Sequence, residues 1–306
     1  MTAIAIDLGG THLRWAVVDG AGQRLYQGRA QRPRHADTIV EDVRRAIREC
    51  RDRHPEAAAV GICVPGFVRP RGVTATNLDW HDFDLRAVLG DVGLPIALEN
   101  DTAAGAVGEQ WIGRARGMGN VVYLTISTGI GAGIIIDGDV YRGSSGLAGE
   151  VGHTVVDLNG LLCGCGRRGC WEMIGSGTAH HRRIHEAFIS GTWPNLETEP
   201  TPEQVTERAR GGDRAATALL LRTARYIGIG VANLVNLYDP QAIIFTGGFA
   251  RSNWDLIQDY LVEEVNGQAL TDTTELVLTE LGDDAGLIGA ARQAMLAAAA
   301  DGRQSF

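Results

Sequence analysis

The 306-residue sequence contains no lysine: all 28 of its basic residues are arginine, against 37 aspartate and glutamate residues. A P-loop enzyme needs a lysine at the phosphates, and Schiff-base chemistry needs a lysine amine, so both classes are excluded. The formal net charge of −9 also argues against nucleic acid as the main partner, because a phosphate backbone binds a basic surface.

Long apolar runs are also missing. No stretch approaches the roughly 18 apolar residues of a membrane span. No signal peptide is recognisable before the first strand-like segment, which starts by Ile4. We therefore expect a cytoplasmic protein that does not bind membranes. With 44% hydrophobic and 21% charged residues the composition is that of a globular protein, and the length favours two domains.

The sequence has only five cysteines, and their spacing divides them into two groups. Cys50 and Cys63 stand alone in apolar segments and are predicted to lie in the core. The other three fall within one short glycine-rich segment, shortly after a histidine. In a cytosolic protein this pattern indicates a metal site rather than a disulfide, and three thiolates with one imidazole form a closed, structural zinc site. The predicted zinc ligands are His153, Cys163, Cys165 and Cys170.

Short β-branched runs alternate with helical patterns, which is typical of an α/β protein. The predicted strands are residues 3–7, 14–18, 59–64, 95–99, 121–127, 132–136 and 242–246. The predicted helices are residues 37–53, 101–110, 214–236 and 286–300. A strand, a Gly/Thr turn, a second strand and an Asp-Gly turn occur near both residue 4 and residue 124. This echo suggests a duplicated fold whose hairpin tips face one another, although β-hairpins often look alike.

The two hairpin tips carry phosphate-binding features. The first is Asp-Leu-Gly-Gly-Thr at residues 7–11, and the second is Ser-Thr-Gly-Ile-Gly-Ala-Gly at residues 127–133. Glycine lets backbone N–H groups turn toward a phosphate, threonine adds a hydroxyl donor, and Asp7 can hold Mg²⁺ or its waters. A single tip would favour an ordinary tight turn, whereas two tips can clamp a triphosphate without lysine. The candidate phosphate ligands are Asp7, Gly9, Gly10, Thr11, Thr128, Gly129 and Gly131.

The sequence Glu-Asn-Asp at residues 99–101 lies where a predicted strand gives way to a helix. Ligands of open α/β sheets bind beyond the carboxyl ends of the strands, so Asp101 is in a typical catalytic location. The alternative is that Asp101 caps the helix, and it could serve in both roles. Asn100 beside it can bridge two hydroxyl groups.

These motifs together resemble the ROK family of repressors, open reading frames and kinases, and most closely its glucokinases. The resemblance covers nearly the whole chain and is carried by residues 7–11, 64–66, 77–80, 99–101, 127–133, 147–153, 163–172 and 246–248. The pairing of Glu-x-Gly-His with Cys-x-Cys-Gly-x-x-Gly-Cys is specific to this family. The phosphate loops alone would indicate only the wider group of actin-like ATPases.

The resemblance implies a two-domain, actin-like ATPase (ribonuclease H-like) α/β fold with a central cleft. A small domain would comprise residues 1–115 and 286–306, and a large domain residues 116–285. Asp101 would be the general base on the sugar hydroxyl, and the turn at Gly247 and Gly248 would lie against the adenosine. His153 could bind zinc through one ring nitrogen and sugar through the other. The implied sugar ligands are Asn77, Asn100, Asp101, Glu150, His153 and Glu172.

The chain departs from the family pattern at position 12, where His12 stands in place of the lysine of many relatives. This position is near the phosphates, so their charge must be offset in another way. Arg14 is a candidate if its side chain points inward.

The resulting hypothesis is Mg²⁺- and ATP-dependent phosphorylation of glucose to glucose 6-phosphate by a homodimer, the usual state in the family. The same asparagine, aspartate, glutamate and histidine positions also suit kinases for N-acetylmannosamine, N-acetylglucosamine or fructose. A sugar-responsive repressor is disfavoured, because only six residues precede Asp7, too few for a DNA-binding helix-turn-helix, and the chain is acidic.

Overall fold

The computed structural model describes residues 1–32, 35–194 and 196–301. Within them, groups of strands are separated by helices along the chain. The strands are β1 (Thr2–Leu8), β2 (His12–Val18), β3 (Arg24–Gln31), β4 (Ala57–Val64), β5 (Phe67–Arg69), β6 (Gly72–Ala75), β7 (Trp80–Phe83), β8 (Ile96–Asn100), β9 (Val121–Ile126), β10 (Ile130–Ile136), β11 (Asp139–Val140), β12 (Ala242–Thr246) and β13 (Glu275–Leu278). The helices are α1 (Ala36–Arg53), α2 (Leu85–Val88), α3 (Asp101–Ile112), α4 (Glu172–Gly175), α5 (Gly177–Ile189), α6 (Pro202–Arg210), α7 (Arg214–Tyr238), α8 (Gly248–Asn266) and α9 (Ala285–Asp301).

The chain divides into two compact units. Unit 1 comprises Met1–Gly119, Gly133–Ala148 and Glu280–Phe306, and unit 2 comprises Asn120–Ala132 and Gly149–Thr279. The division into domains 1–115 plus 286–306 and 116–285 stays a prediction, and it differs from the packing in that residues 116–119, 133–148 and 280–285 belong to unit 1. Residues 302–306 of the predicted small domain lie outside the described residues.

The main sheet of unit 1 has the strand order β3-β2-β1-β4-β8. Strands β1, β4 and β8 run parallel, while β2 and β3 complete an antiparallel edge. The register pairs Asp7 of β1 with Cys63 of β4, and Cys63 with Glu99 of β8. The three parallel strands therefore end at the same edge of the sheet.

Side chains of two sizes alternate along the strands of unit 1. On β1, Ile4, Ile6 and Leu8 belong to the core cluster that includes the apolar face of α1, whereas Ala3 and Ala5 belong to the cluster that includes α9. Successive residues of a strand point to opposite faces, so one face of the sheet is lined by large residues and the other by small ones. The small face allows α9 to approach the backbone of the sheet.

Helix α9 reaches the backbone of its neighbours in unit 1 through glycine. A Cβ atom on Gly289 would lie 1.7 Å from the carbonyl oxygen of Ala104 in α3, and one on Gly108 would lie 2.3 Å from that of Ala285. On the sheet, a Cβ atom on Gly61 would lie 1.9 Å from the carbonyl oxygen of Ala290. These contacts therefore leave no room for a side chain, and only glycine fits there.

The second sheet has the strand order β11-β10-β9-β12-β13. In unit 2, β9, β12 and β13 run parallel, and Thr125 pairs with Thr246. Gly247 follows β12 with a φ of +87°, and a Cβ atom there would lie 2.5 Å from the carbonyl oxygen of Ile126. The turn after β12 thus packs on the end of β9.

Helix α7 is the central helix of unit 2 and packs against α4, α5, α6 and α8. Its length and composition would allow it to cross a membrane, but 56% of its most apolar window is buried inside the protein. That burial is the pattern of a core helix.

All the predicted strands and helices are present, and both predicted hairpins form. Cys50 and Cys63 are fully buried, which confirms their assignment to the core. The elements that were not predicted are β3, β5, β6, β7, β11, β13, α2, α4, α5, α6 and α8.

We expect Gly289→Val to lower the free energy of unfolding by about 1–3 kcal/mol, because the new side chain would overlap the backbone of α3. Gly90→Ala is the matched control, since no atom lies within 4 Å of the position its Cβ would take. Urea unfolding of both variants measures the difference. Equal stability of the two variants would show that α3 and α9 can separate without cost.

Candidate active site

The first hairpin tip joins β1 to β2 in unit 1. Gly10 and Thr11 are exposed at the tip, while Asp7 below them is only 6% exposed. Thr11 Oγ1 lies 2.9 Å from Nδ1 of His12. The tip thus exposes Gly10 and Thr11 to solvent next to a buried carboxylate.

The carboxylate of Asp7 is held from two sides. Arg14 donates from Nε to Oδ2 at 2.9 Å and from Nη2 to the same oxygen, and Cys63 Sγ lies 3.4 Å from Oδ1. Arg14 also donates to the carbonyl oxygen of Asp283 and lies 3.7 Å from the carboxylate of Asp284. Arg14 therefore points inward, but its charge is directed at Asp7 and the start of α9 rather than at the exposed tip.

A second arginine, which the sequence reasoning missed, supports the tip itself. Arg32 donates to the carbonyl oxygen of Gly10 from Nε at 3.0 Å and from Nη2 at 2.7 Å, and its backbone N–H donates to Thr11. It also lies 3.5 Å from the carbonyl oxygen of Asn77, whose side chain is exposed. Residue 32 follows a strand that pairs with β2, so recognising β3 would have placed it beside the tip.

Asn100, rather than Asp101, is the N-cap of α3. Its Oδ1 accepts hydrogen bonds from the backbone N–H groups of Thr102 at 2.9 Å and Ala103 at 3.1 Å. Its Nδ2 donates to the carbonyl oxygen of Gly66 at 2.8 Å. Asp101 occupies the first turn of the helix with an exposed carboxylate. The cap thereby fixes the place where the carboxylate of Asp101 emerges.

Asp7 and Asp101 both lie close to Cys63. Burial raises the pKa of the Cys63 thiol well above its ordinary value, and the charges of Asp7 and Asp101 raise it further. The thiol, whose Sγ lies 3.4 Å from Asp7 Oδ1, therefore stays neutral. The structure thus brings together two of the predicted site residues of unit 1 at the carboxyl ends of β1 and β8.

Glu99, the neighbour of Asn100, is a buried anchor. It is 4% exposed, accepts from the backbone N–H of Asn100 at 3.1 Å, and forms an ion pair with Arg142. Its carboxylate oxygens are occupied by the protein itself. The first residue of the Glu-Asn-Asp motif is therefore structural.

The second hairpin tip lies in unit 2 and is supported by two helices. Glu172 Oε2 accepts from the backbone N–H of Ile130 at 3.0 Å, and it fills the space that a side chain on Gly129 would need. Thr178 Oγ1 donates to the carbonyl oxygen of Thr128 at 2.7 Å. Glu172, a predicted sugar ligand, therefore contacts the loop that carries the predicted phosphate ligands Thr128 and Gly129.

Glu150, His153 and Glu172 form a cluster in unit 2. His153 Nε2 lies 3.8 Å from Glu150 Oε2. Burial raises the pKa of Glu150, the charge of His153 lowers it, and the charge of Glu172 raises it again. Net, the pKa of Glu150 is raised, so this carboxylate holds a proton more readily than an exposed one.

The other ring nitrogen of His153 faces the cysteines. His153 Nδ1 lies 3.6 Å from Cys163 Sγ, and Cys165 Sγ lies 3.5 Å from Cys170 Sγ. The four potential ligand atoms of these residues all lie within 4.8 Å of one another. Burial raises the pKa of the Cys170 thiol to about 12, with contributions from the neighbouring thiols, so a cation binding there must displace its proton.

Three further residues, none of them predicted, anchor the segment that carries Glu172. Trp171 is buried, donates from Nε1 to the carbonyl oxygen of Tyr226 at 2.7 Å, and occupies the space beside Gly230 of α7. Arg182 donates to the carbonyl oxygen of Met173 at 2.6 Å. Arg183 donates to the carbonyl oxygen of Ile174. Helix α4, which begins at Glu172, is therefore fixed on both sides.

The similarity to known proteins extends along almost the whole chain. Residues 3–297 match the ROK family. The glucokinase of Streptomyces coelicolor is 35% identical over 309 residues, covering 94% of this chain and 96% of that protein. The N-acetylmannosamine kinase of Haemophilus influenzae is 34% identical, covering 95% and 94%, and the xylose repressor of Bacillus spizizenii is 30% identical, covering 94% and 75%.

Solved structures show the same similarity in three dimensions. The crystal structure of a ROK family glucokinase from Streptomyces griseus, in complex with glucose and AMPPNP, has a TM-score of 0.81 and 34% identity. The match covers 97% of this chain and 100% of that chain. The predicted α/β, actin-like ATPase fold is thereby confirmed.

We expect Asn100→Ala to lower the free energy of unfolding by about 1–2 kcal/mol, because α3 loses its cap. Asn100→Asp keeps an acceptor for the N-terminal N–H groups but loses the donor to Gly66, so its loss should be smaller. Denaturant titration of the two variants gives the comparison. If the alanine variant were as stable as the parent chain, the cap would have no role in placing Asp101.

Proposed function

This chain belongs to the ROK family, and we propose that it is an ATP-dependent kinase that phosphorylates glucose at its 6-hydroxyl group. The observation that carries this proposal is the exposed carboxylate of Asp101 in the first turn of α3, at the sheet edge where β1 also ends in the Asp7 hairpin. The family membership and the similar glucokinases support a sugar kinase. Glucose itself is part of the proposal.

In the proposed reaction, Asp101 accepts the proton of the attacking sugar hydroxyl. Phosphoryl transfer depends mainly on positioning and charge stabilisation. The protein therefore needs to supply only one well-placed carboxylate as the general base. Asn100 would contribute by fixing the start of α3, and it can still donate to a sugar, since an amide nitrogen has two hydrogens and Gly66 takes one. The other proposed sugar ligands are Asn77, Glu150, His153 and Glu172.

The donor would be bound mainly by backbone N–H groups and hydroxyls. The proposed ligands are Gly9, Gly10, Thr11, Thr128, Gly129 and Gly131 for the phosphates, and Gly247 and Gly248 for the adenosine. Asp7 fits a role toward Mg²⁺, because its buried carboxylate is held in place and can accept hydrogen bonds from the waters that Mg²⁺ retains. When bound, Mg²⁺ would offset the part of the phosphate charge that the lysine at position 12 offsets in many relatives. Arg32 adds a cation at the base of the tip.

The cluster of His153 and three cysteines fits a structural zinc ion. Tetrahedral zinc with Zn–S bonds of about 2.3 Å requires sulfur atoms about 3.8 Å apart. Cys165 Sγ and Cys170 Sγ lie 3.5 Å apart, Cys163 Sγ lies 3.6 Å from His153 Nδ1, and all four ligand atoms lie within 4.8 Å of one another. Zinc on Nδ1 of His153 would leave Nε2, which faces Glu150, for the sugar. Bound zinc would therefore fix the segment between Glu150 and Glu172.

A coupled assay of ADP formation over a panel of sugars tests the proposed function. The panel contains glucose, mannose, fructose, N-acetylmannosamine, N-acetylglucosamine and xylose, each with Mg-ATP. We expect the highest kcat/KM with glucose. Preference for an N-acetylhexosamine would assign the chain to the other kinase class, and binding of a sugar without turnover of any would favour a sensor like the repressors.

We expect Asp101→Asn to lower kcat by at least about a hundredfold with little change in sugar binding, because the amide keeps the size but cannot accept the proton. Asp91→Asn changes an exposed carboxylate of the same unit that pairs only with Arg44 among the described ion pairs, and should keep the parent kcat. Steady-state kinetics and calorimetric titration with glucose separate the two effects. A near-normal kcat for Asp101→Asn would contradict the assignment of Asp101 as the general base.

We expect one zinc ion per chain, and its loss in Cys170→Ser together with lower thermal stability and weaker sugar binding. Cys50→Ser, a buried cysteine of unit 1 outside the cluster, should keep the zinc even if it is less stable. Elemental analysis of reduced, dialysed protein measures the metal directly. Absence of zinc from the parent protein would contradict the assignment.

A further inference from the structure

Unit 1 contains a cavity of about 450 Å³ that includes none of the residues assigned to the sugar or the nucleotide. It lies among α3, β11 and α9. Its volume is within the roughly 300–1,000 Å³ typical of small-molecule sites. The polar and aromatic side chains that line it are Gln110, Trp111, Asp139, Arg142, Arg292 and Gln293.

The cavity lies well away from the proposed catalytic base. A Cβ atom on Gly286 of α9 would lie 3.6 Å from the carbonyl oxygen of Asp101, whereas Arg292, farther along α9, contacts Trp111 of α3. The two helices therefore run side by side in the same direction. Gln110 lies about 14 Å farther along the axis of α3 than Asp101, since each residue adds about 1.5 Å. A ligand in the cavity would thus occupy a second site.

Arg292 is the main cation of the cavity. Its guanidinium carbon lies 5.1 Å from the centre of the Trp111 ring, and the aromatic face stabilises the positive charge. Within the described part of the chain, the Arg292 side chain forms no ion pair and no conventional hydrogen bond. Its N–H donors are therefore available, and a guanidinium with available donors suits a phosphate or a carboxylate.

Arg142 is a second cation beside the cavity, although part of its hydrogen-bonding capacity is already used. Its Nε and Nη2 donate to the buried carboxylate of Glu99, whereas Nη1 makes only a long contact of 3.4 Å with the carbonyl oxygen of Val140. The side chain of Arg142 is half exposed. Nη1 can therefore donate to a ligand while Glu99 keeps its partner.

The remaining polar side chains supply hydrogen-bond acceptors. Gln110 Nε2 donates to the carbonyl oxygens of Met118 at 3.1 Å and Gly138 at 3.2 Å, which uses both of its hydrogens and leaves Oε1 as an acceptor. Among the residues that the structure describes, the side chains of Asp139 and Gln293 have no hydrogen-bond or ion-pair partner. The carboxylate of Asp139 would repel a bare anion but accept hydrogen bonds from hydroxyl groups.

We propose that this cavity binds a phosphorylated sugar, with the phosphate on Arg292 and on Nη1 of Arg142, and with sugar hydroxyl groups on Asp139 and on Oε1 of Gln110. A sugar without phosphate lacks the anion for Arg292. Inorganic phosphate offers too few hydroxyl groups for Asp139 and Gln110 together. This ligand class includes the product of the proposed reaction, so the choice of glucose 6-phosphate as the probe rests on the proposed function.

The first test is calorimetric titration of the parent protein with glucose 6-phosphate and, separately, with inorganic phosphate. Mg²⁺, glucose and the ATP analogue AMPPNP are present at saturating concentrations, so that the candidate active site is filled. We expect glucose 6-phosphate to bind at a single site and at least about tenfold more tightly than inorganic phosphate, because of the added hydrogen bonds to a carboxylate. Absence of binding, or equal affinity for the two ligands, would contradict the proposal.

Two substitutions locate the bound molecule. Arg292→Ala should weaken glucose 6-phosphate binding about 10–100-fold, because the phosphate loses its main cation. Asp139→Ala removes both an acceptor and a repulsive charge, so the preference for glucose 6-phosphate over inorganic phosphate should fall about tenfold. Arg45→Ala is the matched control, since it removes an exposed arginine of α1 that pairs with Asp42, and it should bind as the parent protein does. Thermal melting verifies that each variant is folded, and unchanged binding by both cavity variants would overturn the proposal.

The outcomes keep this inference distinct from the proposed function. Binding of glucose 6-phosphate that depends on Arg292, in a protein that phosphorylates no sugar of the panel, would support the cavity site and contradict the kinase proposal. Phosphorylation of glucose, together with glucose 6-phosphate binding that Arg292→Ala leaves unchanged, would support the kinase proposal and contradict the cavity site.

Discussion

The alignment of parallel strand ends is the constraint on which the candidate site depends in each unit. In unit 1 the register of β1, β4 and β8 places Asp7, Cys63 and Asn100 at one edge of the sheet. In unit 2 the pairing of β9 with β12 places Gly247 against the end of the strand that leads into the second hairpin tip. Since ligands of open α/β sheets bind beyond these ends, the registers bring together the loops of the candidate site.

In this chain without lysine, arginine side chains donate many of the hydrogen bonds that fix these loops. Arg14 holds Asp7, Arg32 holds the carbonyl oxygen of Gly10, and Arg142 holds Glu99. Arg182 and Arg183 hold successive carbonyl groups of the segment that follows Glu172. A guanidinium presents several donors in a fixed plane, so it can bind carboxylates and carbonyls at two points, which an ammonium does less well. The cations of the site thus act mainly on the protein's own loops.

The sequence was sufficient to predict the strands that carry the motifs, both hairpins, the buried cysteines and the grouping of His153 with three cysteines, because each depends on local pattern or spacing. It was not sufficient to identify Asn100 as the cap in place of Asp101, since both residues can cap a helix and backbone geometry decides. Arg32 and Trp171 were missed because their roles arise from pairing between distant segments. Periodicity contains no information about such contacts.

The product of the reaction tests the central claim most directly. The parent protein would be incubated with Mg-ATP and glucose labelled with ¹³C at carbon 6, and the phosphorus and carbon spectra recorded by NMR during turnover. We expect one new phosphate-monoester signal coupled to carbon 6, appearing together with ADP, and at least about a hundredfold slower with Asp101→Asn. Phosphate on another carbon, or ADP and inorganic phosphate with no phosphorylated sugar, would contradict it.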